Sequence, residues 1–118
     1  MLTLPSSVRV YLSLDPVSMH LSFDRLAGLV RQLGLDPTTG HLFVFINRPA
    51  THMKVLFYDR SGFSLLYKRL ERGTFQVPRV GADGTRGREL TPAELGLILE
   101  GVDLQQRARR VRHGRPST

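Results

Sequence analysis

The chain has 118 residues, which suffices for one domain with its own hydrophobic core. It has no cysteine, which excludes disulfides and thiolate metal sites, and no apolar run approaches the roughly 20 residues of a membrane span. Its formal net charge is +7, but residues 104–118 hold five arginines and no acid, leaving 12 basic against 10 acidic residues elsewhere. We therefore predict one domain over residues 1–104 and a basic, disordered tail over 105–118. With no signal-peptide pattern at the start, we expect a soluble, cytoplasmic protein that does not contact membrane.

The first third of the chain predicts a strand and then a helix. Residues 8–14 alternate between apolar and polar side chains, which is typical of a half-buried strand. Apolar residues at helical spacing follow and predict a helix over 19–33. Ser18 or Ser22 is the candidate N-cap, and Gly34 is the candidate C-cap.

The central third predicts a three-stranded antiparallel meander over residues 41–46, 53–58 and 63–70, each segment rich in Val, Phe, Tyr and Leu. Short connections with Pro, Asp and Gly separate the segments. These connections predict a register in which Ile46 faces Met53 and Tyr58 faces Phe63. A one-residue bulge in the second turn would reverse the faces of the third strand.

This register divides the meander into two faces of different chemistry. The apolar face collects Leu42, Val44, Ile46, Met53, Val55, Phe57, Leu66 and Leu70, with Ser64 and Lys68 beside them. The aromatic-basic face collects His41, Phe43, Phe45, Lys54, Leu56, Tyr58, Phe63, Leu65, Tyr67 and Arg69. We expect the first helix to cover the apolar face. The aromatic-basic face has two interpretations: a platform on which bases stack while cations contact phosphates, or a second buried layer with Lys and Arg at its margin.

The last third predicts a hairpin and a short helix. Residues 74–77 are a candidate edge strand, and a hairpin could join residues 75–77 to Glu89-Leu90. Thr91, Pro92 and Glu94 form the sequence signature of a capping box, and Gly101 ends the helix that follows. The fold class is thus α+β: a mostly antiparallel sheet built on the meander with an N-terminal strand, one helix on one face and a short C-terminal helix.

The sequence shows no pattern of catalytic residues. The four histidines are scattered without metal-ligand spacing, and most of the aspartates have an ordinary capping or turn role. There is no nucleophile elbow, P-loop or dinucleotide-binding glycine motif. We therefore predict that the protein is not an enzyme and has no metal or other cofactor.

Several longer runs resemble a known family. These runs are Gly40-His41-Leu42-Phe43-Val44-Phe45-x-Asn47-Arg48, Lys54-x-x-x-Tyr58-Asp59-x-x-Gly62-Phe63 and Tyr67-Lys68-Arg69-Leu70-Glu71-Arg72-Gly73-x-Phe75. The chain from about Pro5 to Leu104 resembles the TnpB, or second-orf, accessory proteins of the insertion-sequence-66 family of bacterial transposable elements. It departs from them in Ser18-Met19-His20-Leu21 and in having no tryptophan, which is typical of a diverged copy.

The resemblance implies a non-catalytic accessory protein for transposition of a bacterial insertion sequence. Such a protein could bind DNA at the element ends, assemble with the separate transposase, or do both. The alternative is a protein-interaction module with no nucleic-acid contact; RNA binding is less favoured because no RNP motif is present. The candidate nucleic-acid-binding residues are Arg48, Lys54, Tyr58, Tyr67, Lys68, Arg69, Arg72, Arg107, Arg109, Arg110 and Arg112.

Overall fold

One five-stranded sheet organises the chain in a computed structural model that describes residues 5–77 and 84–101. In chain order the elements are β1 (Val10–Ser13), α1 (Phe23–Gln32), β2 (Leu42–Ile46), β3 (His52–Asp59), β4 (Gly62–Arg69), β5 (Gly87–Leu90) and α2 (Pro92–Glu100). The strands lie in the order β4-β3-β2-β1-β5, with β1 and β2 parallel and every other pair antiparallel. This confirms the predicted α+β class.

The register of the meander is the predicted one. Ile46 pairs with Met53 across β2 and β3, and Tyr58 pairs with Phe63 across β3 and β4. The β3–β4 ladder runs from Asp59–Gly62 to the other end of the strands with no extra residue on either side. The connection lengths therefore predicted which side chains share a face, and the bulge that would have reversed β4 is not present in this ladder.

The assignment of α1 to the apolar face was wrong. Leu26, Ala27 and Val30 of α1 pack against the buried Phe43, Phe45 and Leu56 on the aromatic-basic face. The helix connects two parallel neighbouring strands, β1 and β2, so the hand of that crossover decides which face it covers. The apolar content of a face does not decide this, because both faces of the sheet need a cover.

The apolar face is covered by α2 and by an irregular segment around Phe75. Leu95 and Ile98 of α2, together with Phe75, are buried among the residues of this face. The predicted edge strand over residues 74–77 does not form, and neither does its hairpin to residues 89–90, because β5 pairs with β1. The Phe75 N–H instead donates to the Ala50 carbonyl at 2.6 Å, which pins the segment to the β2–β3 loop.

α1 begins four residues later than predicted. Ser22 is its N-cap residue but makes no side-chain capping bond, whereas the Ser18 hydroxyl accepts a bond from the His20 N–H in a preceding turn. The helix ends with Leu33 as C-cap and with Gly34 next, at a φ of 79°. Such a left-handed residue directly after the C-cap is the usual way to end a helix, so this end was predicted well.

α2 begins with the predicted capping box. The Thr91 hydroxyl accepts a bond from the Glu94 N–H at 3.1 Å, and the Glu94 carboxylate accepts one from the Thr91 N–H at 3.0 Å. The second of these bonds lowers the pKa of the Glu94 carboxyl. Pro92 occupies the first turn, and Gly101 closes the helix at a φ of 68°.

Replacing Thr91 by Ala should lower the free energy of unfolding by about 1 kcal/mol, because the Glu94 N–H loses its acceptor. Chemical denaturation followed by circular dichroism measures this, with Ser61→Ala, in the exposed turn between β3 and β4, as the control. An unfolding midpoint equal to that of the unmodified protein would show that the cap contributes nothing.

Candidate nucleic-acid interface

Three of the predicted arginines lie at one end of the sheet. Arg48 is in the loop between β2 and β3, Arg69 ends β4, and Arg72 follows shortly after. β2 and β4 both end here and β3 begins here, since Arg69 pairs with His52 at the start of β3. All three arginines are exposed. We call Arg48, Arg69 and Arg72 the basic end.

The loop that carries Arg48 is held in one shape by Asn47. The Asn47 side-chain oxygen accepts bonds from the Thr51 N–H at 2.9 Å and from the His52 N–H at 3.1 Å. Ala50 takes a left-handed φ of 58°, unusual for a residue with a Cβ, and its N–H donates to the Asn47 carbonyl. The loop backbone is thus preorganised, so Arg48 can meet a ligand without the cost of ordering a flexible loop.

Acidic side chains of the protein compete little with a ligand for the arginines of the basic end. Arg69 contacts Glu71 at 3.1 Å, but both side chains are well exposed and such pairs contribute little. Arg48 and Arg72 form no ion pair with another residue in the described ranges. At least two guanidinium groups therefore remain available for an anion, and Arg can bind phosphate through two parallel hydrogen bonds.

The two predicted lysines bind the protein's own backbone. Lys54 is 8% exposed, and its ammonium group donates to the carbonyls of Met19 at 2.6 Å and Leu21 at 2.8 Å. Lys68 donates to the carbonyl of Leu99 near the end of α2. Both ammonium groups thus have acceptors within the fold, and we leave both lysines out of the interface.

The two predicted tyrosines are separated. Tyr67 is 54% exposed and lies near the basic end, with the Lys54 ammonium 5.0 Å from its ring centre and the His52 ring 5.9 Å away. Tyr58 is half-buried at the opposite end of the sheet, edge-on to Phe63. Neither is fully buried, but α1 covers the middle of this face, so they do not form one continuous stacking platform.

The tail prediction lies outside the described residues, as do Arg107, Arg109, Arg110 and Arg112. Gly101, the last described residue, lies close to β4. A Cβ added to Gly101 would lie 3.1 Å from a methyl carbon of Leu70, the residue directly after Arg69. Gly101 therefore lies beside the basic end.

A cleft of about 740 Å³ opens between the β2–β3 loop, the segment around Phe75 and the start of α2. Of its charged lining residues, Asp15 contacts Arg86 at 2.9 Å and Arg88 contacts Glu94 at 2.8 Å, whereas Arg48 of the basic end forms no ion pair within the described ranges. This cleft was not predictable from the sequence, because its walls come from segments far apart in the chain. The described residues contain no cluster of potential metal ligands. No helix among them has the length and apolarity to cross a bilayer.

Comparison with known proteins shows which sequences are related to this chain, which the geometry alone does not. A family model described as "IS66 Orf2 like protein" matches residues 8–109. The chain is 39% identical over 103 residues to the uncharacterized protein y4hO of Sinorhizobium fredii (strain NBRC 101917 / NGR234), covering 85% of this chain and 87% of that one. It is 32% identical over 97 residues to the uncharacterized protein y4jC of the same strain, covering 81% and 80%. No solved structure matches.

Proposed function

The chain belongs to the IS66 Orf2-like family, and from that premise we propose that it is a non-catalytic accessory protein of transposition that binds DNA through the basic end and the adjoining tail. Membership implies an accessory protein of an insertion sequence. The mode of action, DNA binding with or without assembly with the transposase, is the part that we propose.

One observation supports the DNA-binding proposal: exposed arginines that form no ion pair within the described ranges lie at the same end of the sheet as Gly101, the last described residue. Arg48 and Arg72 are exposed at this end, and the chain continues from Gly101 into a segment with five arginines and no acid after residue 103. At the opposite end, Arg9 contacts Glu89 at 3.3 Å, whereas Arg31 and Arg60 are exposed and form no ion pair within the described ranges. The basic end differs from the opposite end in its position beside Gly101, from which the chain continues into the arginine-rich segment, and such a cluster of cations is expected of a phosphate-binding surface.

The contacts expected from this surface are to phosphates. Arginines from a loop and from the residues after a strand can each bind one phosphate group, which positions the protein but does not read bases. We therefore expect binding that falls steeply with salt and discriminates little between element-end DNA and random duplex.

The test compares two double variants of equal charge. Arg48→Ala with Arg72→Ala removes two cations at the basic end; Arg31→Ala with Arg60→Ala removes two exposed cations at the opposite end of the sheet. If both arginines contact phosphates, the slope of log K against log salt should fall by about 2 units for the first pair. It should not change for the second pair. Equal slopes for the two variants would contradict a localised interface.

A chain that ends at Leu104 provides the second arm of this test. It lacks five cations, so its slope should fall by up to about 4–5 units if the tail contacts phosphates. Residual binding should remain and should still depend on Arg48 and Arg72. Complete loss of binding, with no effect of these two arginines in the full chain, would assign all DNA contact to the tail.

The cleft favours a second candidate function, assembly with the transposase without DNA contact. Its walls combine charged groups, including Arg48, with apolar groups such as Leu90 and the exposed Leu97, a mixture suited to a peptide segment. If this function is the correct one, the full chain should show no salt-dependent retention on DNA and should still be captured by purified transposase.

A further inference from the structure

The two edges of the sheet differ in how they are protected. β5 is only four residues long, and its Arg88 and Glu89 are engaged in ion pairs. β4 has eight residues, and its stretch from Phe63 to Tyr67 contains neither a charge nor a proline. Short, charged edges resist pairing with another chain, whereas a long uncharged edge invites it. β4 is therefore the edge that is open to a partner strand.

The backbone of β4 shows which groups face outward. The Leu70 N–H donates to the carbonyl of Thr51, the residue directly before β3. Hydrogen-bonded and non-hydrogen-bonded pairs alternate along an antiparallel ladder, so the even-numbered residues of β4 are the ones that exchange hydrogen bonds with β3. The N–H and C=O groups of Phe63, Leu65 and Tyr67 must then point away from β3. Within the described residues no strand lies on that side of β4.

Two large side chains on this strand are exposed, one on each face of the sheet. Leu66 pairs with Val55 on the face covered by α2 and is 48% exposed; Tyr67 pairs with Lys54 on the face covered by α1 and is 54% exposed. The covers on both faces therefore leave these two side chains exposed to solvent. A strand added beside β4 would cover both side chains at once.

We propose that β4 pairs antiparallel with β4 of a second copy of this chain, about a two-fold axis that passes by Leu66. An antiparallel two-fold keeps each face of the sheet continuous, so residues that face each other must belong to the same face. With the axis at Leu66, the facing pairs are Leu66 with the second copy's Leu66, Leu65 with its Tyr67, Ser64 with its Lys68, and Phe63 with its Arg69.

This register is self-complementary in a way that favours a copy as the partner. Both exposed side chains acquire an apolar neighbour, and the outward N–H and C=O groups acquire backbone partners. Arg69 faces an aromatic ring, a favourable arrangement, and no two like charges face each other. An axis at Leu65 would instead place the exposed Leu66 against the hydroxyl of Ser64.

The chain has no native cysteine, so a single introduced one tests the register directly. Leu66 would face its copy in a non-hydrogen-bonded pair with Cα atoms about 4.5 Å apart, within the range for a disulfide. Mild oxidation of Leu66→Cys should therefore give a linked dimer in high yield. Ser64→Cys, on the same face but opposite Lys68, is the matched control and should give little.

A second variant tests the association itself. Leu66→Lys places two cations opposite each other and should raise the dimer dissociation constant at least about tenfold in analytical ultracentrifugation, with an unchanged circular dichroism spectrum. The proposal is overturned if the unmodified chain stays monomeric at high concentration, or if Leu66→Lys leaves the dimer intact. Equal cross-linking of Leu66→Cys and Ser64→Cys, or stronger cross-linking of Leu65→Cys, also overturns it.

Discussion

Replacing Phe75 by Ala should lower the free energy of unfolding by about 3–5 kcal/mol, the largest effect we expect from a single substitution. Phe75 is 2% exposed and belongs to the core on the face covered by α2. Its ring is surrounded by β-strand residues and by Leu95 and Ile98, so truncation leaves a cavity that rigid neighbours cannot fill. Denaturant titration of the full chain measures the change.

Two controls separate the cavity from other causes. Phe75→Leu keeps most of the volume and should cost much less than Phe75→Ala. Phe23→Ala truncates the same residue type at the start of α1, where the ring is 40% exposed, and should cost far less. A Phe75→Ala protein as stable as the Phe23→Ala protein would show that the segment around Phe75 does not form part of the core.

The position of the segment around Phe75 was not predictable from the sequence. The strands of the meander and their register followed from two short connections, and α2 followed from its capping residues, because both are local signals. The position of the segment around Phe75 depends on a bond to Ala50, 25 residues earlier in the chain. We predicted an edge strand there, since nothing local distinguishes a buried irregular segment from an edge strand.

The candidate interface was predictable from the sequence only in part. Arg48, Arg69 and Arg72 could be named from composition, but their convergence required the order of the strands. The cations Lys54 and Lys68 were indistinguishable from them in sequence. Their carbonyl acceptors belong to the loop before α1 and to the last turn of α2, and only the assembled fold brings these carbonyls near.

Replacing Lys54 by Met should lower the free energy of unfolding by about 1–3 kcal/mol and leave DNA binding unchanged. The Lys54 ammonium bonds the carbonyls of Met19 and Leu21, and both would lose this donor, although Met preserves the packing of the aliphatic stem. The turn before α1 would then be held to the sheet less firmly. Thermal unfolding and the salt dependence of DNA binding are measured on the same protein.

Arg72→Ala is the matched control, because it also removes one positive charge but from an exposed side chain. It should leave the unfolding midpoint within experimental error and reduce the salt slope by about 1 unit. The two variants therefore separate a cation that stabilises the fold from one that contacts the ligand. If Lys54→Met instead lowers the salt slope at constant stability, the Lys54 ammonium contacts phosphate, and α1 must move away from the sheet when DNA binds.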